Sequence, residues 1–325
     1  MHKRCQLVTL LRYSRYRRLA WLFVLIQFVA MPLPVFARAL ARSHSLRIPP
    51  VIELGGLKAL LARHTPDVLL VDVRKHADYL RGHLPGAINL PAALTDNQDA
   101  RQPGIAALAQ IRRIMSRAGI RHSDYLVLYD NGMLMQAAHV FWVLETYGHK
   151  KISVLDSGYP GWVADQGSIS KQVTRLPASH YIPNITTHRL STELSTLLAA
   201  RGHDIAIIDA RSRNEFLGRV SRARRKGHII NAINIPWSEN LVHLGPVPKM
   251  KSISALRRLY HMLQPGEHVI AYCNSSMESA VTYLALRRLG YPVSVFDGAW
   301  LKWGNDNHLP IAIGPAVATE LAHAH

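Results

Sequence analysis

The stretch VLLVDVR at residues 68–74 returns as IAIIDAR at 205–211, 137 positions later, and this pairing decides the fold. Three more blocks recur in the same order. GHLPGAINLP (82–91) matches GHIINAINIP (227–236), and LVLYD (126–130) matches VIAYC (269–273). Val154-Leu155-Asp156 with Trp162 answers Val295-Phe296-Asp297 with Trp303. The offsets run from 137 to 145, so a whole domain is duplicated. In each copy, short apolar runs suited to strands buried on both faces alternate with helical stretches. Two of these helices are MQAAHVFWVLETYGH (135–149) and SAVTYLALRRLGY (279–291), with Gly148 and Gly290 as stop residues. The predicted fold is α/β, two tandem domains, each a parallel sheet flanked by helices.

The first domain is expected over 46–165 and the second over 189–310. Residues 166–188, with Pro177 and Pro183, read as a linker, and 311–325 as a tail. A chain of 325 residues that is 48% hydrophobic and 18% charged suits two globular domains. The net charge of +18 favours anionic partners without choosing among them. No nucleic-acid-binding motif accompanies it.

Six of the positive charges (Lys3, Arg4, Arg12, Arg15, Arg17, Arg18) precede an uncharged run at 19–37, and the first 37 residues contain no acid. Pro32 and Pro34 end the run's helical potential. Small or aliphatic residues follow at Val35-Phe36-Ala37 and Ala39-Leu40-Ala41. This is the layout of a secretory signal peptide over 1–37, with a membrane anchor as the alternative because the run is near the spanning minimum. The folded part is expected to be periplasmic or secreted, or anchored facing the periplasm.

The chain has two cysteines, Cys5 in the N-terminal stretch and Cys273. A single remaining thiol can form neither an internal disulfide nor a thiolate zinc cluster. His83 and His228 stand at equivalent places, one per domain, without a second ligand at metal spacing, so they read as structural. His323 and His325 lie in the tail and make no better case. A lone cysteine is most often inert core, but Cys273 leaves the strand VIAY, and ligands in α/β sheets bind beyond the carboxyl ends of strands. Asn274, Ser275, Ser276, Met277 and Glu278 are expected to form a polar loop, with the helix starting near Ser279. Helix-start N–H groups would stabilise an anion there and lower the thiol's pKa. The matching residue in the first copy is Asp130, which cannot be a sulfur nucleophile, so that domain is expected to be inactive.

The blocks D-x-R, G-H-[IL]-x-x-A-I-N-[LI]-P, Y-C before a loop and helix, and D-G-x-W at 297–300 together resemble the rhodanese family of thiosulfate or 3-mercaptopyruvate sulfurtransferases. The resemblance covers about 50–165 and 190–305. It implies a Cys273 persulfide formed from a small anionic sulfur donor and passed to a thiol or cyanide, with no metal or organic cofactor. It also matches Asp209 and Arg211, the latter as a substrate-binding candidate with Arg219 from the basic run after it. The loop C-N-S-S-M-E departs from C-R-K-G-V-T, which resembles the thiosulfate type, and from C-G-S-G-V-T, the mercaptopyruvate type. It has no cation and ends in Glu278, which either disfavours a nearby thiolate or caps the helix and faces away. Glu215 stands where some members place a substrate-binding Arg. A cysteine phosphatase is disfavoured, because its oxyanion-gripping Arg six positions after the cysteine is Ser279 here. A rhodanese-like binding or sensing module with weak turnover is the alternative reading.

Overall fold

The computed structural model describes residues 48–63, 67–97, 104–202, 204–243, 245 and 247–315. The expected signal peptide or anchor at 1–37 and the histidines of the tail lie outside these residues. In the first half, strands β1 (Val51–Ile52), β2 (Val68–Asp72), β3 (Ile88–Asn89), β4 (Tyr125–Tyr129) and β5 (Ile152–Leu155) form a parallel sheet in the order β1-β5-β4-β2-β3. Helices α1 (Leu54–Ala62), α2 (His76–Arg81), α3 (Leu108–Arg117), α4 (Met135–Thr146) and α5 (Gly158–Ala164) connect and follow them.

The second half repeats the plan. Its main strands are β6 (Leu190–Ser191) and β7 (Ile205–Asp209), then, after the short β8 (His228–Ile229), β9 (Ala232–Asn234). A small antiparallel pair, β10 (Leu241–Val242) and β11 (Lys249–Met250), precedes β12 (His268–Tyr272) and β13 (Val293–Phe296). The parallel order is β6-β13-β12-β7-β9. The helices are α6 (Glu193–Arg201), α7 (Arg213–Phe216), α8 (Ile253–Leu259), α9 (Met277–Leu289) and α10 (Ala299–Trp303). The last strand, β14 (Ile311–Ala312), pairs antiparallel with β8. The tail expected from 311 therefore begins with two residues that belong to the domain. Gly227 allows this closure: its φ is +115°, and a Cβ there would sit 2.1 Å from the Ala312 carbonyl oxygen.

Helices α4 and α9 are apolar around most of their circumference because each is covered twice. Each packs on strands of its own sheet and against the other helix. One buried cluster accordingly runs from Val71 and Leu128 through Phe141 and Trp142 to Tyr283, Leu284 and Val295. At its edge Glu145 accepts hydrogen bonds from Tyr283 Oη at 2.6 Å and from Arg287 at 2.8 and 3.0 Å. Two further contacts are reciprocal. Asp156 of the first domain accepts the Met250 N–H, and Asp297 of the second accepts the Ile105 N–H, each at 3.0 Å.

The segment 166–188 is not a free tether. Ser170 exchanges backbone hydrogen bonds with His83, Thr174 N–H donates to Tyr79 Oη, and Tyr181 is fully buried. The two equivalent histidines are structural, as expected. His83 stacks on Tyr79 and His228 on Phe216, each at 3.7 Å between centroids. Nδ1 of each ring lies 2.8 Å from the backbone oxygen of its stacking partner.

Glu145→Ala leaves Arg287 and the Tyr283 hydroxyl without their partner at the domain interface. It should lower the unfolding free energy by about 2 kcal/mol in urea titrations. Glu239→Ala removes only a surface contact to Lys251 at 3.6 Å and should cost less than about 0.5 kcal/mol. Equal losses in the two variants would contradict this account of the interface.

Candidate active site

Strand β12 is buried over its last four residues and lies beside β7 in register, so Tyr272 faces Asp209 across the ladder. The next residue, Cys273, is at 0% exposure. Trp300 N–H donates to its carbonyl oxygen at 2.8 Å, and Leu301 N–H donates to Asn274 O at 3.2 Å, which ties the loop to α10. Ser276 takes a left-handed conformation (φ 70°) and turns the chain straight into α9 at Met277. The loop is thus Asn274, Ser275 and Ser276, shorter than expected, because Met277 and Glu278 already lie in the first helical turn. The Ser279 hydroxyl donates to Ser276 O at 3.2 Å, and that hydroxyl and the backbone N–H groups of Ser275 and Ser279 work to lower the Cys273 pKa.

The first domain has a corresponding turn, one residue longer, with a different occupant. Tyr159 N–H donates to Asp130 O at 2.9 Å, just as Trp300 does to Cys273. The Asp130 carboxylate accepts backbone N–H groups from Gly132 (2.8 Å), Leu134 (3.3 Å), Gln136 (3.1 Å) and Ala137 (3.2 Å). Burial pushes this carboxyl above its ordinary pKa, and the four N–H groups pull against that. The turn into the helix is therefore an anion cradle, filled in this domain by the protein's own carboxylate.

In the second domain the electrostatics run against the expected activated thiol. Burial is the largest influence and raises the Cys273 pKa. The Glu278 charge raises it further, while the donors from Ser279 and Ser275 oppose both. Glu278 does not cap its helix and turn away: its Oε2 is buried without a hydrogen-bond partner. Burial, then the neighbouring Glu215, raises its own pKa, with Asp209 adding and Arg222 and Arg211 opposing. Burial also works to raise Glu215, but hydrogen bonds from Ser212 and Asn274 outweigh it and hold Glu215 below its ordinary value. Asn274 Nδ2 reaches Glu215 at 2.8 Å, a link across 59 positions of sequence. Ser212 and Glu215 form a reciprocal capping box on α7, and the S-x-x-E pattern is the sequence signal that could have placed this carboxylate.

Arg211, expected to touch the donor, is turned inward at 0% exposure. It binds Asp209 at 2.5 and 3.0 Å and the Gly227 carbonyl at 2.9 Å, and its guanidinium lies 4.2 Å from the Trp300 ring centroid. Arg74 repeats this with Asp72, Gly82 O and Tyr159 in the domain that has no thiol. The pair is a scaffold of the fold in both domains, and Arg211 Nη1 is buried without a hydrogen-bond partner. Arg219 is exposed and bonded to Asn214 Oδ1 at 3.1 Å. Arg222, part of the same basic run, is with Arg211 a cation whose charge reaches Glu278. Its Nε is 3.9 Å from Glu215. A cavity of about 840 Å³ lined by Glu53, Asp156, Lys249 and Arg288 opens between the two domains without including Cys273. Among the described residues no His, Cys, Asp and Glu group could hold a metal ion.

Two parallel-sheet domains, each with a strand-end cradle and one with sulfur in it, define a tandem α/β class. The rhodanese-like domain model matches residues 55–165 and 191–306, and the chain belongs to that family. It is similar to the 3-mercaptopyruvate sulfurtransferase of Escherichia coli, 30% identical over 77% of this chain and 95% of the relative. It is also similar to the thiosulfate sulfurtransferase of Pseudomonas aeruginosa, 29% identical over 82% and 98%. Among solved structures, the E. coli 3-mercaptopyruvate sulfotransferase SseA superposes with a TM-score of 0.68 at 27% identity, covering 78% of this chain and 99% of that one. An anaerobic ergothioneine biosynthesis enzyme from Chlorobium limicola shares the fold, with a TM-score of 0.72 at 18% identity over 82% and 70%. By class, the chain is a sulfurtransferase.

Glu278→Gln removes the negative neighbour that disfavours the Cys273 thiolate, so the thiol's pKa should fall. Ultraviolet titration of the thiolate, with iodoacetamide alkylation across pH as a second readout, checks the sign. An unchanged midpoint would mean that Glu278 does not act on the thiol.

Proposed function

We propose that Cys273 takes a sulfane sulfur from thiosulfate or 3-mercaptopyruvate as a persulfide and hands it to a thiol or to cyanide. The observation that carries this reading is the exchange of Asp130 for Cys273 at corresponding strand-to-helix turns. Where the first domain holds a carboxylate with four N–H groups, the second has a sulfur whose pKa the N–H and hydroxyl groups of Ser275 and Ser279 work to lower. The donors that satisfy Asp130 are of the kind that would hold a persulfide anion. The thiol first loses its proton. Its sulfur then attacks the donor's outer sulfur, and sulfite, or the pyruvate carbon skeleton, departs with the electron pair of the broken bond. Attack by the acceptor on the outer sulfur returns the thiolate.

The buried thiol and cation-free loop favour a second reading, a binding or sensing module that turns over slowly. We also propose export: the basic stretch followed by an uncharged run at 19–37 supports a periplasmic or secreted protein, or one anchored through that run. Among the described residues no helix is long and apolar enough to cross a membrane.

Wild-type protein given either donor and cyanide should release thiocyanate and, without cyanide, gain the mass of one sulfur atom on Cys273. Cys273→Ser should do neither. Binding of a donor without sulfur on Cys273 would favour the sensing module, and equal thiocyanate from both proteins would contradict transfer through this residue.

A further inference from the structure

The carboxylates around Cys273 are the part of the site that anion binding alone does not explain. Glu278 sits in the first turn of α9 with a buried, unpartnered Oε2, close enough for its charge to act on the sulfur. It faces Glu215, which Ser212 and Asn274 hold in place. Two cations pull the other way: Arg211, bonded to Asp209 with its Nη1 unpartnered, and Arg222, exposed and 3.9 Å from Glu215. The first domain supplies a comparison. Asp130 and Cys273 are followed by helices whose second residues are Gln136 and Glu278. The first domain thus holds its carboxyl group in the cradle itself, and the second places one in the helical turn beside the thiol. With no hydrogen-bond partner of its own, Glu278 Oε2 has a lone pair free for a proton in the turn that follows the thiol.

We propose, resting on the persulfide reading above, that Glu278 relays the Cys273 proton to the donor's leaving carbon and, with Glu215, makes the site select a mercapto-acid over thiosulfate. Glu278 takes the thiol proton, and the Cys273 sulfur attacks the sulfur of 3-mercaptopyruvate. The S–S bond forms and the C–S bond breaks, with its electron pair passing to the methylene carbon as an enolate. The protonated Glu278 then delivers its proton to that carbon, giving pyruvate, while the donor's own S–H proton is lost to solvent and leaves the persulfide anionic. Cysteine sulfur is oxidised, carbon is reduced, and nothing further is required. Thiosulfate gains nothing from the second half of the relay, because sulfite leaves with its electron pair and needs no proton. Its two negative charges also meet both carboxylates, whereas the mercapto-acid brings one.

The test compares wild type and Glu278→Gln with each donor in steady state. With 3-mercaptopyruvate, kcat should fall on the order of a hundredfold as the relay is lost. With thiosulfate, kcat/KM should rise roughly tenfold as one repelling charge is removed. Opposite movements are what a merely structural residue would not produce. An unchanged kcat with 3-mercaptopyruvate overturns the relay, and an unchanged kcat/KM with thiosulfate overturns the selection. If both activities fall, Glu278→Asp decides: recovered mercaptopyruvate turnover with thiosulfate still poor supports the relay, and loss of both overturns it. Mass spectrometry of the wild type separates the two levels. A persulfide on Cys273 without the predicted shifts refutes only the relay, whereas no persulfide from either donor refutes the sulfur-transfer reading itself.

Discussion

The buried pair of Asp209 and Arg211 is the contact on which the catalytic domain's architecture converges. Asp209 ends β7 and also accepts the Tyr272 hydroxyl at 2.5 Å, while that hydroxyl accepts the Ile229 N–H. Arg211 reaches the Gly227 carbonyl and lies over Trp300, whose N–H in turn holds the Cys273 carbonyl. Two strands, a turn and the helix after β13 are thereby fixed to one ion pair. Burying such a pair is costly unless its hydrogen bonds are filled, and here the carboxylate is filled by the guanidinium, a backbone N–H and a phenol. The same device, with Asp72 and Arg74, builds the first domain.

With the scaffold shared, the difference between the domains reduces to what occupies the cradle and what stands beside it. A carboxylate accepts all four N–H groups in the first domain and stops there, with no sulfur chemistry to offer. In the second, a thiol replaces it and the negative charge moves one helical turn away to Glu278. The result is a nucleophile held neutral by burial and by its neighbour rather than one standing ionised, so proton removal becomes part of the chemistry.

The duplication, the parallel sheets, the structural histidines and the position of Cys273 at a strand end were all legible in residue patterns, because they follow from apolar periodicity and matched blocks. Other features depend on three-dimensional neighbours. Nothing local in C-N-S-S-M-E says that Ser276 turns left-handed and starts the helix at Met277. The sign of the Cys273 pKa shift depends on burial depth, which a helix-start argument leaves out. Arg211 reads as a free cation until its pairing with Asp209 and Gly227 is seen. The Asn274–Glu215 contact joins segments 59 positions apart, and the pairing of β14 with β8 joins the chain's last described strand to a turn far upstream.

The central claim is that the cradle around Cys273 holds an anionic outer sulfur as its twin holds Asp130. A crystal structure of the protein after reaction with donor tests it most directly. The account predicts one extra sulfur bonded to Cys273 and surrounded by the N–H groups of Ser275, Ser276, Glu278 and Ser279, the counterparts of those that bind Asp130. An unmodified Cys273, or an outer sulfur directed away from those groups, would contradict it.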